Sequence, residues 1–445
     1  MLFTEKEAKT ITEKMLSFVK ASDANVSVGS EETAHLRFAE NAFLTSGKRE
    51  NRSANVTVWI DGKRGSSSTN DLDDNSLREA VEQAEQIARL SPVDREYLPT
   101  LGRQIYRPTG GFVKATANIS SAARAKSVGG ILAESEKTKI IAAGFYQSNA
   151  EAAAFATKNG NFGFQRRTVV GLSVTGRTPD GSSSGYFARS HFDAGKLDAN
   201  RIAREAIRRT LDGRNAKIID AGVYTVILEP QAVADLLGSF GGGFDARSAE
   251  EGRSPYSALG GKTKRGEKIF DERINILSDP WNSEIPGASA AQAGIPAQKI
   301  YLVKSGVLDN LVYSRFWAKQ KNVEATPGPV NTIMETSGKA ATVEEMIAST
   351  KRGLLISRFW YIRSTDPRTA SLTGLTRDGV WLVENGKIQH PVKNFRFNQS
   401  IIQMLAPGNV ELIGASERVG DTDSASLLPA LKLKAFNFTS QSEAV

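Results

Sequence analysis

The chain has 445 residues, a net charge of +8, three histidines and no cysteine. The absence of cysteine excludes disulfides, thiol nucleophiles and thiolate metal ligands, and the length exceeds one ordinary core, so two domains are expected. Hydrophobic content of 40% and charged content of 24% suit a globular protein, and no apolar run approaches the length of a membrane helix. Lysine and arginine are dispersed. The denser groups, Arg166-Arg167 and Lys262-Thr-Lys264-Arg265, are short, so a solvated basic surface is expected rather than a nucleic-acid stripe. The first residues mix charges into the apolar pattern and do not read as a signal peptide, which makes a cytoplasmic location the expectation.

Thr4 with Glu7 predicts a capping box opening the first helix. Asn25 to Val28, His35 to Ala39 and Ala54 to Ile60 read as strands, and Asp61-Gly62 as a hairpin turn leading into Arg64 to Ser68. Ser76 with Glu79 predicts a second capping box, for a helix whose face carries Leu77, Val81, Ala84, Ile87 and Ala88 and which ends at Ser91-Pro92. Leu98 to Gly111, with two prolines and a glycine pair, is a connection. Ser120 to Glu134 is predicted helical, weakened by Gly129-Gly130. Lys139 to Gln147, Ala152 to Thr157 and Arg166 to Thr178 form an antiparallel run turned at Asn159-Gly160 and Pro179-Asp180-Gly181. Phe187 to Phe192 is a further strand, and Ala199 to Leu211 a basic amphipathic helix ending near Gly213. This half reads as α+β, with helices on one face of the sheet.

Tyr224 to Leu228 is β-branched and apolar, a buried strand. Pro230 suits a first helical turn, and Ala232, Val233, Leu236, Leu237 and Phe240 follow at helical spacing. Beyond this helix the chain is strand-rich. Tyr301 to Leu308 and Val380 to Ile388 are hairpins, the second with Asn385-Gly386 at its turn. Thr342 to Ser349 is predicted helical, with Lys351 as its outermost limit. Val410 to Ala415 and Leu431 to Phe438 are closing strands, and Thr439 to Val445 is expected to fray. The predicted organisation is an N-terminal α+β domain, residues 1–215, with antiparallel sheet and helices, and a C-terminal strand-rich, barrel-like domain, residues 216–445.

Few motifs carry chemistry. The glycines Gly238, Gly241, Gly242 and Gly243 lack the Gly-Lys-Ser/Thr that a phosphate cradle needs. Gly261-Lys262-Thr263 imitates the end of a P-loop, but Tyr256 stands where its first glycine belongs. Glycine here permits close backbone approach, by a neighbouring strand or by an extended peptide, with packing the commoner use. Gly181 to Gly185 matches a nucleophile elbow, but a turn precedes it and a strand follows, so a solvent-facing hairpin is expected. His35, His191 and His390 form no local metal motif and read as isolated surface or loop residues. Glu250-Glu251, Asp71 to Asp74 and Asp421-Thr-Asp423 sit in turn or capping contexts where solvated carboxylates are the default. Trp360-Tyr361 and Phe316-Trp317 read as packing residues.

The stretch Tyr224 to Ser257, with Gly252-Arg253-Ser254, resembles the TldD/PmbA (TldE) family of peptidases. The resemblance continues through Gly266 to Phe270, Ile276 to Pro280, Tyr301 to Leu311 and Val380 to Val392, covering most of the chain from about residue 223 to 433. In the family's zinc-bearing subunit the matching helix carries His-Glu-x-x-x-His, and a C-terminal cysteine also binds the metal. Aligned without a gap, those three motif positions are Leu237, Gly238 and Gly242 here, and none can bind zinc or move a proton. The resemblance therefore implies no catalytic or metal residue in this chain. It implies a zinc-free subunit of a heterodimer, with zinc in a TldD-like partner, acting on unfolded peptides. Phe240, Gly241, Gly242 and Gly243 would then be the place of peptide or partner approach. Two other readings stand beside this one: a pseudo-peptidase binding module of the gyrase-modulator kind, and a hydrolase with a non-zinc site.

Overall fold

The structure, a computed structural model, describes residues 1–239, 243–420 and 425–442. Its first half is a six-stranded antiparallel sheet, ordered Lys63–Thr69, Ala42–Ile60, Asp23–Ala39, Ile141–Thr157, Phe162–Arg177, Ser184–His191. On Asp23–Ala39 the buried apolar side chains are Ala24, Val26, Val28, Ala34, Leu36 and Phe38. With a side-chain period of two, these all point to one face. At one end that face packs on helices Glu5–Phe18 and Asp74–Leu90, and at the other on Ser121–Lys137 and Ala199–Asp212. The helices lie close enough to need glycine beneath them: a Cβ on Gly65 would stand 2.0 Å from the Ala84 carbonyl, and one on Gly185 2.4 Å from the Thr210 nitrogen.

The second half is a thirteen-stranded branched sheet. Its main path runs Val307–Leu308, Ile300–Lys304, Ile274–Ser278, Ile333–Thr336, Ser426–Gln441, Gly222–Leu228, Arg352–Ile356, Val380–Glu384, Lys387–Pro391. A branch of Phe359–Asp366, Ser371–Thr376 and Phe395–Ser400 joins it through Ser426–Gln441, which also pairs with Val410–Val419. Helix Pro230–Ser239 lays Ala232, Val233 and Leu236 into the core beneath it. The fold is α+β, as expected. The sheet is not closed into a barrel, because its path ends on two different edge strands.

Several sequence expectations are corrected. The separate short strands predicted in the first half are continuous long ones, since alternation survives through polar positions once neighbouring strands pair on both sides. The second helix is capped by Asp73 rather than Ser76. The Asp73 carboxylate accepts from the backbone N–H groups of Asn75 and Ser76, and it stands in the capping register that Ser76 lacks. The helix opened by Thr342, a true capping box with Glu345, stops at Ala348. Thr439 to Gln441 are strand, not frayed, because Gln441 pairs with Phe395. Ser183 and Ser184 are buried rather than facing solvent: Ser183 donates to the Thr210 carbonyl and Ser184 to Asp378.

Candidate functional site

A cavity of about 770 Å³ lies between the two sheets. From the first sheet Arg167 to Val169, Tyr186 and Phe192 line it. From the second come Gln231, Asp235, Leu237, Gly238, Asn331, Arg358 and Arg418. Its floor is helix Pro230–Ser239, and the reason is local. Pro230 starts the helix directly after strand Gly222–Leu228, and its apolar face, Ala232, Val233 and Leu236, is drawn into the core. The opposite face, with Gln231, Ala234, Asp235 and Gly238, is left toward the cavity.

Two of the three positions where the resemblance places His-Glu-x-x-x-His are therefore in the cavity. Neither fits zinc. Leu237 offers only carbon and packs partly on the core, and Gly238 has no side chain. Gly242 lies outside the described residues, as do Phe240, Gly241, Asp421 and Asp423. Gly243 is described, and its carbonyl accepts from Ser254 Oγ. Among the described residues no three His, Asp or Glu side chains gather as a metal-holding group.

At Gly238 the packing explanation fails. Among the described residues an added Cβ there would meet nothing within 4 Å, so the residue leaves room in the cavity. Gly238→Leu is expected to leave the melting temperature level or slightly raised, by roughly 0.5–1 kcal/mol of helix propensity, while narrowing the cavity. A melting temperature lowered by several degrees in a thermal scan would contradict this.

Asp235 is the one carboxyl among the described lining residues. Oδ1 accepts from Gln231 Nε2 at 2.8 Å, and Oδ2 accepts from the Phe359 N–H at 2.8 Å. Burial pushes its pKa up to about 6 from 3.8, against the opposing Gln231, Arg358 and Phe359 contacts. Because the folded value is the higher one, the native state holds the proton more tightly. The stabilisation is complete below about pH 3.8 and is lost as the pH rises through about 6. Relative to Asp235→Asn, the wild type is expected to lose on the order of 1–3 kcal/mol across that window. Paired urea melts at stepped pH check it, and parallel pH profiles would refute it. Sequence reasoning did not single out Asp235; its position one residue from Leu236 and two from Leu237 on a half-apolar helix was the available signal.

Other sequence candidates sit elsewhere or act differently. His191 is buried, not on the surface: its Nδ1 accepts from the Asp193 N–H and Nε2 lies 3.4 Å from Glu284. Burial, with the Arg418 charge, lowers its pKa. His35 stacks on Phe145 in the first sheet, and His390 lies on strand Lys387–Pro391; both are in strands rather than loops. Glu250 is not a solvated carboxylate. It accepts from Tyr313 and from the Trp317 indole, and it pairs with Lys321 at 2.8 Å. Of the cluster Asp71 to Asp74, Asp73 is the helix cap, and Asp71 accepts from the Asp73 N–H. Trp360 and Tyr361 are exposed on Phe359–Asp366 with Arg377 and Arg363 over their rings, so they are surface residues and not packing ones. That strand pairs with Ser371–Thr376 on one edge. Among the described residues no strand pairs with its other edge.

Two sheets meet over a cavity with a strand-to-helix element on its floor, an α+β arrangement whose floor carries no metal-binding side chain at Leu237 or Gly238. The chain belongs to the PmbA/TldD metallopeptidase family. It matches PmbA/TldA metallopeptidase domain 1 over residues 24–88, the central domain over 112–214 and the C-terminal domain over 221–440. It is 26% identical over 241 residues to the "Metalloprotease TldD homolog" of Buchnera aphidicola, an alignment covering 50% of this chain and 48% of that protein. The chain thus spans about half the length of that curated relative. It is 22% identical over 322 residues to a "Metalloprotease" of Methanothermobacter thermautotrophicus, covering 68% and 66% of the two chains. Among solved structures it is similar to TldE from Thermococcus kodakarensis, with TM-score 0.86, 18% identity and coverage of 98% and 100%. It is also similar to a putative modulator of a DNA gyrase from Thermotoga maritima, with TM-score 0.85, 17% identity and coverage of 97% and 100%. At these identities the likeness to the two structures concerns the fold. Among the described residues no helix is long and apolar enough to cross a membrane.

Proposed function

We propose that this chain is the zinc-free, non-catalytic subunit of a heteromeric metallopeptidase that degrades or matures unfolded peptides. The observation that supports this reading is the cavity floor, where Leu237 and Gly238, the positions that the resemblance aligns with a zinc ligand and a general base, offer neither. Zinc-dependent peptide hydrolysis needs imidazole, carboxylate or thiolate ligands and a base beside the bound water. A TldD-like partner subunit would supply them and hold the zinc. This chain would contribute walls, backbone contacts and partner surface. The open edge of Phe359–Asp366 supports an extended substrate. Main-chain groups that pair with no described strand there would hold an added strand by hydrogen bonds, with little demand on sequence.

The test is reconstitution. This chain and a partner bearing His-Glu-x-x-x-His are each purified without tags, then assayed singly and mixed against an unfolded peptide. Chelator-sensitive cleavage that requires both chains, with co-elution of the two on gel filtration, is the expected result. Cleavage by this chain alone after metal stripping would overturn it and favour a hydrolase with its own non-zinc site.

A further inference from the structure

The outer edge of strand Ala42–Ile60 is open over most of its length. Its inner edge pairs with Asp23–Ala39 from Ala42 to Trp59. Its outer edge pairs with Lys63–Thr69 only from Ala54 to Ile60, so from Ala42 to Ser53 no described strand lies beside it. The segments outside the described residues are three or four residues long and span at most roughly 14 Å. Their flanking residues sit toward the other side of the sheet. Gly420 accepts from Ser190 Oγ, Ser442 donates to Asn394 beside Ser184, and Ser239 lines the cavity with Tyr186. Strand Ser184–His191 is four strand spacings, about 19 Å, from Ala42–Ile60.

An open edge of this length is a template for another chain, and proteins blunt such edges with proline, bulges or inward charges. No proline falls between Ala42 and Ile60. One bulge does occur: Leu44 has no partner on Asp23–Ala39, because Arg37 pairs with Thr45 and Phe38 with Phe43. The regular open run is therefore Thr45 to Ser53. It ends at the bulge on one side and, on the other, where Thr69 pairs with Ala54. Phe43 and Leu44, at the bulge, are 54% and 56% exposed beside an apolar groove with Leu36, Ala122 and Ala125.

The charges along this run choose the occupant. Pairing with a second copy about a two-fold axis is antiparallel, and the faces match only when opposed residue numbers sum to an even value. The run Thr45 to Ser53 is centred on Arg49. That register sets Lys48 of each copy opposite Glu50 of the other, on the face they share with Ala34 and Glu32. The register centred on Lys48 sets that lysine against its own copy. The one centred on Glu50 sets Glu50 against its own copy and Lys48 against Arg52. Opposite charges directly across a strand pair are favourable and like charges unfavourable. Arg49 meets its copy on the axis, but on the other face and with Glu31 3.4 Å away in each chain. Within one chain Lys48 stands 2.6 Å from Glu50 and 3.1 Å from Glu32, and the Met1 amino group 3.1 Å from Glu50. Lys48 and Glu50 are half exposed, so these pairs are weak and exchange partners readily. The bulge at Leu44 bends the strand where it would otherwise run into the partner's Lys63–Thr69.

We propose that this edge is a self-association site, where two copies of the chain join their six-stranded sheets into one continuous sheet. The strands pair antiparallel from Thr45 to Ser53 with Arg49 on the two-fold axis. The inference stands apart from the peptidase reading. An edge contact of this kind is small, so the dimer belongs with transient contacts and dissociates in about the micromolar range.

Sedimentation velocity on the full, tag-free chain from about 1 to 100 µM reads the association. A monomer that gives way to dimer across that range is the expected result. Glu50→Lys, which turns both cross-strand contacts repulsive, is expected to weaken dimerisation about tenfold or more, and Lys48→Glu with Glu50→Lys to restore it. Restoration also reports that the fold survives these changes. Arg49→Cys tests the register. The chain has no cysteine, so mild oxidation is expected to cross-link this variant as a dimer. Ser66→Cys, exposed on Lys63–Thr69, is expected to stay monomeric under the same oxidation. A monomer at every concentration overturns the proposal. A dimer that Glu50→Lys leaves intact, or that the double exchange fails to restore, overturns the charge-set register. Cross-linking through Ser66→Cys as readily as through Arg49→Cys overturns the assignment to this edge. The reconstitution assay reads the peptidase proposal separately, so either can fail while the other stands.

Discussion

Writing the missing motif into this chain, as Leu237→His, Gly238→Glu and Gly242→His, is expected to yield almost no peptidase activity. Two of those side chains would enter the cavity described above, yet a zinc site needs more than three inserted residues. The chain has no cysteine to act as a further ligand, and ligating histidines depend on outer partners that fix ring orientation and tautomer, worth roughly 10–100-fold each in metal affinity or activity. Turnover of the triple variant is expected at least about a hundredfold below that of a TldD-like subunit. The unaltered chain, tag-free, is expected to hold far less than one zinc per chain. Metal analysis and a peptidase assay on both proteins check this. Stoichiometric zinc in the unaltered chain, or turnover by the triple variant near that of a zinc-bearing subunit, would count against the zinc-free assignment.

Loss of the Arg209 guanidinium is expected to cost more stability than any other single truncation discussed here. Arg209 lies on helix Ala199–Asp212, and its side chain is 7% exposed. Nη2 stands 2.7 Å from Glu229 Oε2, whose side chain is 17% exposed, and Nη1 donates to the Tyr186 carbonyl at 3.3 Å. Glu229 falls between strand Gly222–Leu228 and helix Pro230–Ser239. The pair therefore ties the last helix of the first half to the element that floors the cavity. Arg209→Ala would leave the half-buried Glu229 carboxylate without its close ion-pair partner, with Arg189 the remaining nearby cation, so the loss is expected to reach at most about 3–5 kcal/mol, the cost of breaking a fully buried pair. Denaturant titration would read it as a lower midpoint at constant slope. The double substitution Arg209→Met with Glu229→Leu is expected to recover much of the loss, since removing both charges removes the desolvation cost with them. A single variant as stable as the wild type would show that solvent reaches Glu229 freely.

Local chemistry made much of this protein legible in its sequence. The Asp61-Gly62 and Asn385-Gly386 turns, with positive φ at each of the four residues, follow from a two-residue hairpin's need for left-handed backbone. The Thr4–Glu7 box forms as spaced, because it satisfies backbone donors within a few residues. The α+β class followed from alternating and helical periods. The want of zinc ligands at Leu237 and Gly238 was visible from residue identity alone.

Tertiary structure decided what depended on distant neighbours. Strand lengths were underestimated, since Glu31 and Thr33 look like breaks until the strands on both sides pair with them. The second half was expected as a largely antiparallel sheet or barrel-like core, and only the structure decided that the sheet stays open, because pairing along one strand does not say whether the sheet's ends meet. Whether Gly238 packs or opens a cavity turned on the empty space around its missing Cβ, and the altered acidity of Asp235 on its burial. The lining of the cavity was hidden for the same reason. Arg167, Arg358 and Arg418 are far apart in sequence and come to line one cavity only where the two sheets meet, since which side chains gather follows from packing in space rather than from position along the chain.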